Sequence, residues 1–422
     1  MLLFKIHTMK LSDSSRQHTE PLRTMDLFAG CGGFTAGFGS YGVGPEGDVP
    51  GFRPVASVES DPAAAATYAA NHHPDVPFCG VIEDFDPYPF ADEVDVITGG
   101  PPCQGFSGLG AQNPSDPRNT LWEEYLRVVA VVRPKVFVLE NVDRFLKSPE
   151  YERLQDAVRL DGLLADYELS TAILNAADYG VPQTRRRVIV IGTHRDFGAP
   201  LQHPTPTHTK IPVIEDELVL FGGAVPLLEW VPVDSIFRRS ARIEITGTEL
   251  PARRVSGGLA GPYRTDELHF GRTPTPLSVA RYAAIPQGGN RDDLRGKMTV
   301  IDGAEKALST LSWDKHHSGS RDVMGRLRSG SPSVTIRTEF FKPEKGRYLH
   351  PVENRPITHY EAALIQGFPD DYRWYGTKIQ IAKQIGNAVP VGLGRALAGI
   401  IHQHLSVLTL QRADLRRTAS SS

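Results

Sequence analysis

Short apolar runs rich in β-branched residues, separated by glycine turns and amphipathic segments, organise the first half of the chain. Thr24 to Phe28, Pro54 to Glu59, Val76 to Ile82, Val94 to Thr98 and Val136 to Leu139 each read as a strand. Most are continuously apolar rather than alternating, the pattern of a parallel sheet covered on both faces. Pro62 to Asn71 and Leu121 to Val132 read as helices between them, the second opened by the turn Asp116-Pro117-Arg118-Asn119-Thr120 and stopped by Arg133-Pro134. Strands alternating with helices predict an open α/β sheet. Ala172 to Leu174 and Arg187 to Ile191 bracket the turn Tyr179-Gly180-Val181-Pro182 and predict an antiparallel pair.

From about Ala199 the pattern breaks. Pro200, Pro204, Pro206, Pro212 and Pro226 interrupt any regular element, and the stretch to Ser329 offers only short strand-like pieces without a readable topology. Order returns at Pro356: Thr358 and Glu361 have the spacing of a capping box, and the helix they open stops at Gly367-Phe368-Pro369. Gln384 to Pro390 reads as a tight turn into an apolar helix from Gly392 to Leu408. Residues 1–23 and 413–422 lack pattern and are expected to be tails.

Length and composition sharpen this picture. At 422 residues with 40% hydrophobic and 23% charged positions, two globular domains are expected. No apolar run reaches the length of a membrane helix, and Met1 to Phe4 before Lys5 is too short for a signal-peptide core, so the cytoplasm is the expected compartment and no membrane partner is expected. Cys31, Cys79 and Cys103 are far apart, with no paired spacing, so neither a metal site nor a disulfide framework is indicated. Charge is uneven. Arg238 to Arg347 holds 20 Lys and Arg against 12 Asp and Glu, a surplus of 8; with a net charge of −3, the remainder carries −11. A basic segment in an otherwise acidic chain fits a polyanionic partner.

Chemistry gathers where parallel strands end. The run Val94 to Thr98 stops at Gly99-Gly100-Pro101-Pro102-Cys103-Gln104-Gly105-Phe106-Ser107, a proline-stiffened loop that presents Cys103 as a nucleophile or, alternatively, as a structural cysteine. Strand Val136 to Leu139 delivers Glu140-Asn141-Val142 to the same sheet edge, so thiol and carboxylate should face one cleft. The turn Ala29-Gly30-Cys31-Gly32-Gly33 lies between a strand and a small-residue helix, as a nucleotide-like ligand requires, though the spacing is not G-x-G-x-x-G. Glu59, at the next strand end, can accept both hydroxyls of a ribose. Arg185 and Arg187 alternate along a strand and so share a face.

Together these motifs resemble the C5-specific cytosine DNA methyltransferases of bacterial restriction-modification systems. Asp26-Leu27-Phe28-Ala29-Gly30-Cys31-Gly32-Gly33-Phe34 is similar to the cofactor loop, Pro102-Cys103-Gln104 to the nucleophile loop, Glu140-Asn141-Val142 to the acid motif and Gln183-Thr184-Arg185-Arg186-Arg187 to the arginine motif. Arg355-Pro356-Ile357-Thr358 through Pro369, and Gly386-Asn387-Ala388-Val389-Pro390, resemble the last two motifs.

The resemblance implies a Rossmann-like α/β sheet that binds S-adenosylmethionine, with a smaller, irregular target recognition domain. It divides the chain into a catalytic and cofactor-binding domain (24–199), a target recognition domain (200–330) and a return segment (331–412). It implies catalysis by Cys103, Glu140, Arg185 and Arg187, and cofactor contacts from Phe28, Gly30, Cys31, Gly32, Gly33, Glu59, Ile82, Pro102, Leu121 and Asn387. Gln104, Ser107, Arg118 and Asn141 are the implied substrate contacts. The implied partners are double-stranded DNA, bound by a monomer, and a restriction endonuclease that shares the target site. The same chemistry on transfer RNA, and a silent DNA-binding regulator, are the alternatives. Two positions depart from the family pattern. Where an Asp usually follows the glycine of the third strand and accepts from the adenine amino group, Val81 stands, with Asp84 three residues on. Ser60 occupies a site that is often aromatic.

Overall fold

The computed structural model describes residues 20–43, 46–102, 121–211, 226–253, 255–256, 258–315 and 322–420, with side chains through 408. Seven strands form one sheet: β1 (Leu22–Leu27), β2 (Phe52–Glu59), β3 (Val76–Cys79), β4 (Val96–Gly99), β5 (Val136–Asn141), β6 (Tyr167–Asn175) and β7 (Arg186–His194). Their order across the sheet is β3-β2-β1-β4-β5-β7-β6, and β7 alone runs antiparallel to its neighbours. The order reverses between β1 and β4, from which crossovers leave in opposite directions. In open α/β sheets a ligand crevice forms at such a point.

Helices α1 (Gly33–Gly39), α2 (Pro62–His72), α3 (Leu121–Val132) and α4 (Pro149–Ala157) belong to this half of the chain. The continuous apolar runs are explained by burial on both faces. Ile97, Phe137, Leu139, Val188 and Val190 pack with Trp122, Tyr125 and Leu126 of α3. Their neighbours Val96, Val136, Val138, Ile189 and Ile191 pack on the other face with Phe34 and Phe38 of α1. Side chains alternate along a strand, so each strand feeds both layers.

The second half adds α5 (Asp234–Ser240), α6 (Pro276–Ala284), a hairpin β8 (Met298–Ile301) and β9 (Ala304–Ala307), α7 (Leu311–Lys315), α8 (His359–Gln366), α9 (Lys378–Asn387) and α10 (Val391–Ser420). Helix α10 returns to the sheet: Leu393, Leu397, Ile401 and Leu405 join the layer of Phe34 and Phe38. Contact is close because small residues meet there; a Cβ on Gly37 would lie 2.7 Å from backbone atoms of Gly394. A separate core joins Phe237 of α5 and Tyr263, Leu268 and Phe270 to Ile336, Tyr360, Phe368 and Trp374.

Three boundaries differ from expectation. β1 begins at Leu22 rather than Thr24, paired by backbone to Gly51. Gln384 to Asn387 is the last turn of α9, not a free turn, because Thr377 and Gln380 make a capping box that starts a helix the apolar pattern did not reveal. Residues 413–420 continue α10 instead of forming a tail. The basic surplus also overstates surface charge. Arg291, Arg326 and Arg347 are buried, and Arg326 is spent on the carbonyls of Tyr282, Ile285, His350 and Glu353.

Candidate active site

The sheet register brings the motif ends together. Leu27 pairs with Val58 and Gly99, and Gly99 pairs with Leu139, so Phe28, Glu59, Gly100 and Glu140 all leave at one edge. A cleft of about 260 Å³ opens there, lined by Phe28, Val58, Glu59, Ser60, Gly80, Val81, Ile82, Glu83, Pro102 and Leu121. Of the ten residues expected at the cofactor, Phe28, Glu59, Ile82, Pro102 and Leu121 line this cleft, and Gly30 is hydrogen-bonded to Glu59.

Glu59 is held rigidly. One carboxylate oxygen accepts from the Gly30 N–H at 2.7 Å and the other from the Asp61 N–H at 2.7 Å. Burial raises its pKa, and those two backbone bonds oppose the rise. Each oxygen keeps a further lone pair for a ligand hydroxyl. The backbone beside it is unusual: Phe28 has φ of +54° and Gly30 of +55°. Positive φ in a bulky residue such as Phe28 is costly and persists where surrounding structure imposes it. Nothing lies within 4 Å of where a Cβ on Gly30 would stand, so the turn is open on that side. A fixed carboxylate, an aromatic ring and an open glycine turn fit a nucleoside-bearing ligand such as S-adenosylmethionine.

Beneath the turn, Asp26 accepts from Thr35 at 2.9 Å and Thr98 at 3.1 Å and is buried, which pushes its pKa up to about 7. The other turn residues face inward. Cys31 is buried with its thiol toward the Gln384 carbonyl at 3.5 Å, and burial pushes the thiol pKa up, so this cysteine is not a nucleophile. Gly32 and Gly33 pack against His72 and Val389, and Asn387 ends α9 with its carbonyl toward Arg185.

Glu140 stands at the opposite wall. Arg187 Nε lies 2.7 Å from Glu140 Oε1, an ion pair whose side chains are only 16% and 12% exposed. Among the described residues that oxygen takes no hydrogen bond. A Cβ on Gly100 would stand 2.8 Å from Glu140 Oε2, so a larger residue there would displace this carboxylate. Asn141 is buried, accepts from its neighbour's Val142 N–H and donates to the Pro101 carbonyl at 3.4 Å, tying the exit of β4 to β5.

Arg185 corrects an expectation. It does not look into the cleft with Arg187 but donates to the carbonyls of Ile336 and Gly386 at 3.0 Å and Asn387 at 3.4 Å, fully buried. It precedes β7 instead of alternating within it, because Gln183 and Thr184 pair with Ser333 and Val334 first. Burial lowers its pKa to about 9. Cys103, Gln104, Ser107 and Arg118 lie outside the described residues. Residue-by-residue reading of the sequence missed Gly100, Pro101 and Glu83; only Glu83 carried a signal, as an acid two places after Val81.

The comparisons with known proteins agree with this geometry. The family model for the C-5 cytosine-specific DNA methylases matches residues 22–220 and 290–403. The chain is 31% identical over 391 residues to the Type II methyltransferase M1.HphI of Haemophilus parahaemolyticus, covering 89% of this chain and 86% of that protein. It is 29% identical over 411 residues to M.DdeI of Desulfomicrobium norvegicum, covering 92% and 90%. Among solved structures, a candidate DNA modification methyltransferase from an E. coli prophage aligns at a TM-score of 0.59 with 23% identity, over 91% of this chain and 99% of that one, and shares the fold. Matches of this extent settle membership: the chain belongs to the C-5 cytosine-specific DNA methylase family.

Proposed function

We propose that this chain methylates C5 of a cytosine flipped out of a specific short duplex DNA sequence, through a covalent bond between Cys103 and C6 of the ring. The observation that carries the reading is the shared edge: Glu140, paired with Arg187, and the Gly99-Gly100-Pro101-Pro102 exit flank the cleft that holds Glu59 and Phe28. When bound there, S-adenosylmethionine supplies an electrophilic sulfonium methyl group. Phe28, Leu121 and Pro102 offer its adenosine an apolar slot, and Glu59 offers acceptors to its ribose.

Cytosine C5 is a poor nucleophile while the ring is aromatic. Addition of the Cys103 thiolate to C6 breaks the aromaticity and makes C5 an enamine carbon. Glu140 stabilises the charge that develops at N3 and reads the 4-amino group. With the methyl group on C5 and the sulfonium departed as a neutral thioether, loss of the C5 proton to a base would restore the C5–C6 double bond and expel Cys103 as thiolate. Arg187 orients Glu140 and adds positive potential that favours the thiolate, whose unperturbed pKa is about 8.5. A stacked cytosine hides C6, so the base must leave the helix at a cost of roughly a few kcal/mol. Residues 200–330 would grip phosphates and read base edges to offset that cost.

Single-base mapping of 5-methylcytosine in a methylation-free host expressing the chain tests this. Methylation at one short motif, absent with Cys103→Ala, is expected. Methylation that persists with Cys103→Ala would refute the nucleophile. Methylated transfer RNA without methylated DNA would favour the RNA reading instead.

A further inference from the structure

Two carboxylates line the cleft, and only one is engaged. Both oxygens of Glu59 hold backbone N–H groups. Glu83 lies at the opposite rim beside Val81, exposed, and makes no hydrogen bond or ion pair among the described residues. Val81 is 49% exposed and lines the same rim, yet its side chain can accept nothing.

The rim is well defined. Residues Ile82–Asp84 form a single 3-10 turn, in which successive side chains point about 120° apart. Ile82 is buried, Glu83 is exposed and lines the cleft, and Asp84 does not line it. Arg127, paired with Glu124 at 2.6 Å, donates to the carbonyls of Ile82 at 3.0 Å and Phe85 at 3.2 Å and clamps the turn from behind. The only freedom left to the Glu83 carboxylate is its own side-chain rotation.

We propose that Glu83 is the residue that selects the base of the cofactor, accepting a hydrogen bond from the exocyclic amino group of adenine in place of the missing acid at Val81. A purine entering between Phe28, Pro102 and Leu121 brings its edge to the rim made by Gly80 to Glu83. The lining there provides one free anionic acceptor for an amino donor, and its longer side chain offsets its attachment two residues further along. Asp84, the nearer match by residue type, is not part of the lining. The assignment rests on the cofactor reading above.

The test is calorimetric binding of S-adenosylhomocysteine and of its analogue with hydrogen in place of the 6-amino group, to the full chain and to Glu83→Ala, with Asp84→Ala as control. A charge-assisted hydrogen bond at an exposed rim is expected to favour the amino compound by about tenfold in the wild type and in Asp84→Ala. Glu83→Ala should bind both compounds equally, with the analogue's affinity unchanged. Because the side chain is unpaired and exposed, the variant should melt with the wild type. Undiminished preference for the amino compound in Glu83→Ala would overturn the assignment alone, as would equal weakening of both compounds. Failure of the wild type to bind either would overturn the cofactor reading and the assignment with it.

Discussion

Replacing Arg185 with Leu separates the two arginines of one motif by consequence. The guanidinium donates to three backbone carbonyls, two at 3.0 Å and one at 3.4 Å, that belong to the stretch after Ser333 and to the end of α9. Its loss strands those acceptors in a site that excludes water. A hydrogen bond to a charged donor contributes roughly 1.5–3 kcal/mol, so two good bonds and one long one amount to about 3–6 kcal/mol. Leucine fills part of the space, and removing a buried cation recovers some desolvation cost, which leaves a net loss of about 3 kcal/mol. Unfolding entropy near 2.1 cal/mol/K per residue gives close to 0.9 kcal/mol/K for a chain of about 400 residues, hence a fall in Tm of about 3–4 °C.

Arg187→Leu should differ in its effect on activity. It takes the cation from a pair whose side chains are only 16% and 12% exposed, so methylation should fall steeply, with Tm falling by no more than about 3–4 °C. Differential scanning calorimetry and methyl incorporation, measured side by side, provide the check. An Arg185→Leu protein that melts with the wild type, or an Arg187→Leu protein that melts several degrees lower with its activity intact, would refute the division of labour.

Two further outcomes follow from buried groups. Asp26 has a folded pKa of about 7 against an ordinary 3.8, so between those values the folded chain holds a proton that the unfolded chain has released. Its contribution to stability is therefore full below about pH 4 and declines as pH rises to 7, by on the order of 4 kcal/mol at most. Urea midpoints of Asp26→Asn and wild type from pH 5 to 8 should converge or cross with pH; parallel curves would contradict this. In α1, Gly37→Ala pushes a methyl to within 2.7 Å of the Gly394 backbone, whereas Gly39→Ala meets nothing within 4 Å. Overpacking of about 1–3 kcal/mol is expected for the first and none for the second, and equal denaturation midpoints would show that α10 yields freely.

The pattern of apolar runs was sufficient for the α/β sheet, because a strand buried on both faces is apolar throughout, as Val136 to Leu139 is. The motif residues were likewise legible, since Glu59 and Glu140 follow directly from strand ends. Long-range pairings decided the rest. That Arg185 turns away while Arg187 meets Glu140 depends on Ser333 and Val334, about 150 residues on, pairing with Gln183 and Thr184 and taking Arg185 out of the strand's alternation. The helical character of Gln384 to Asn387 rests on a cap at Thr377 and on Ile381, Ala382 and Ile385 packing into the second core. Arg326 and Arg347 counted as surface charge in the sequence, and only the packing of residues 282–290 against 347–354 shows them to be internal. That Glu83 rather than Asp84 lines the cleft goes with a single turn clamped by Arg127. Local sequence determines which elements form, since each element buries or caps itself. Which side chains meet across the sheet edge is settled by contacts between segments hundreds of residues apart, and those leave no local trace.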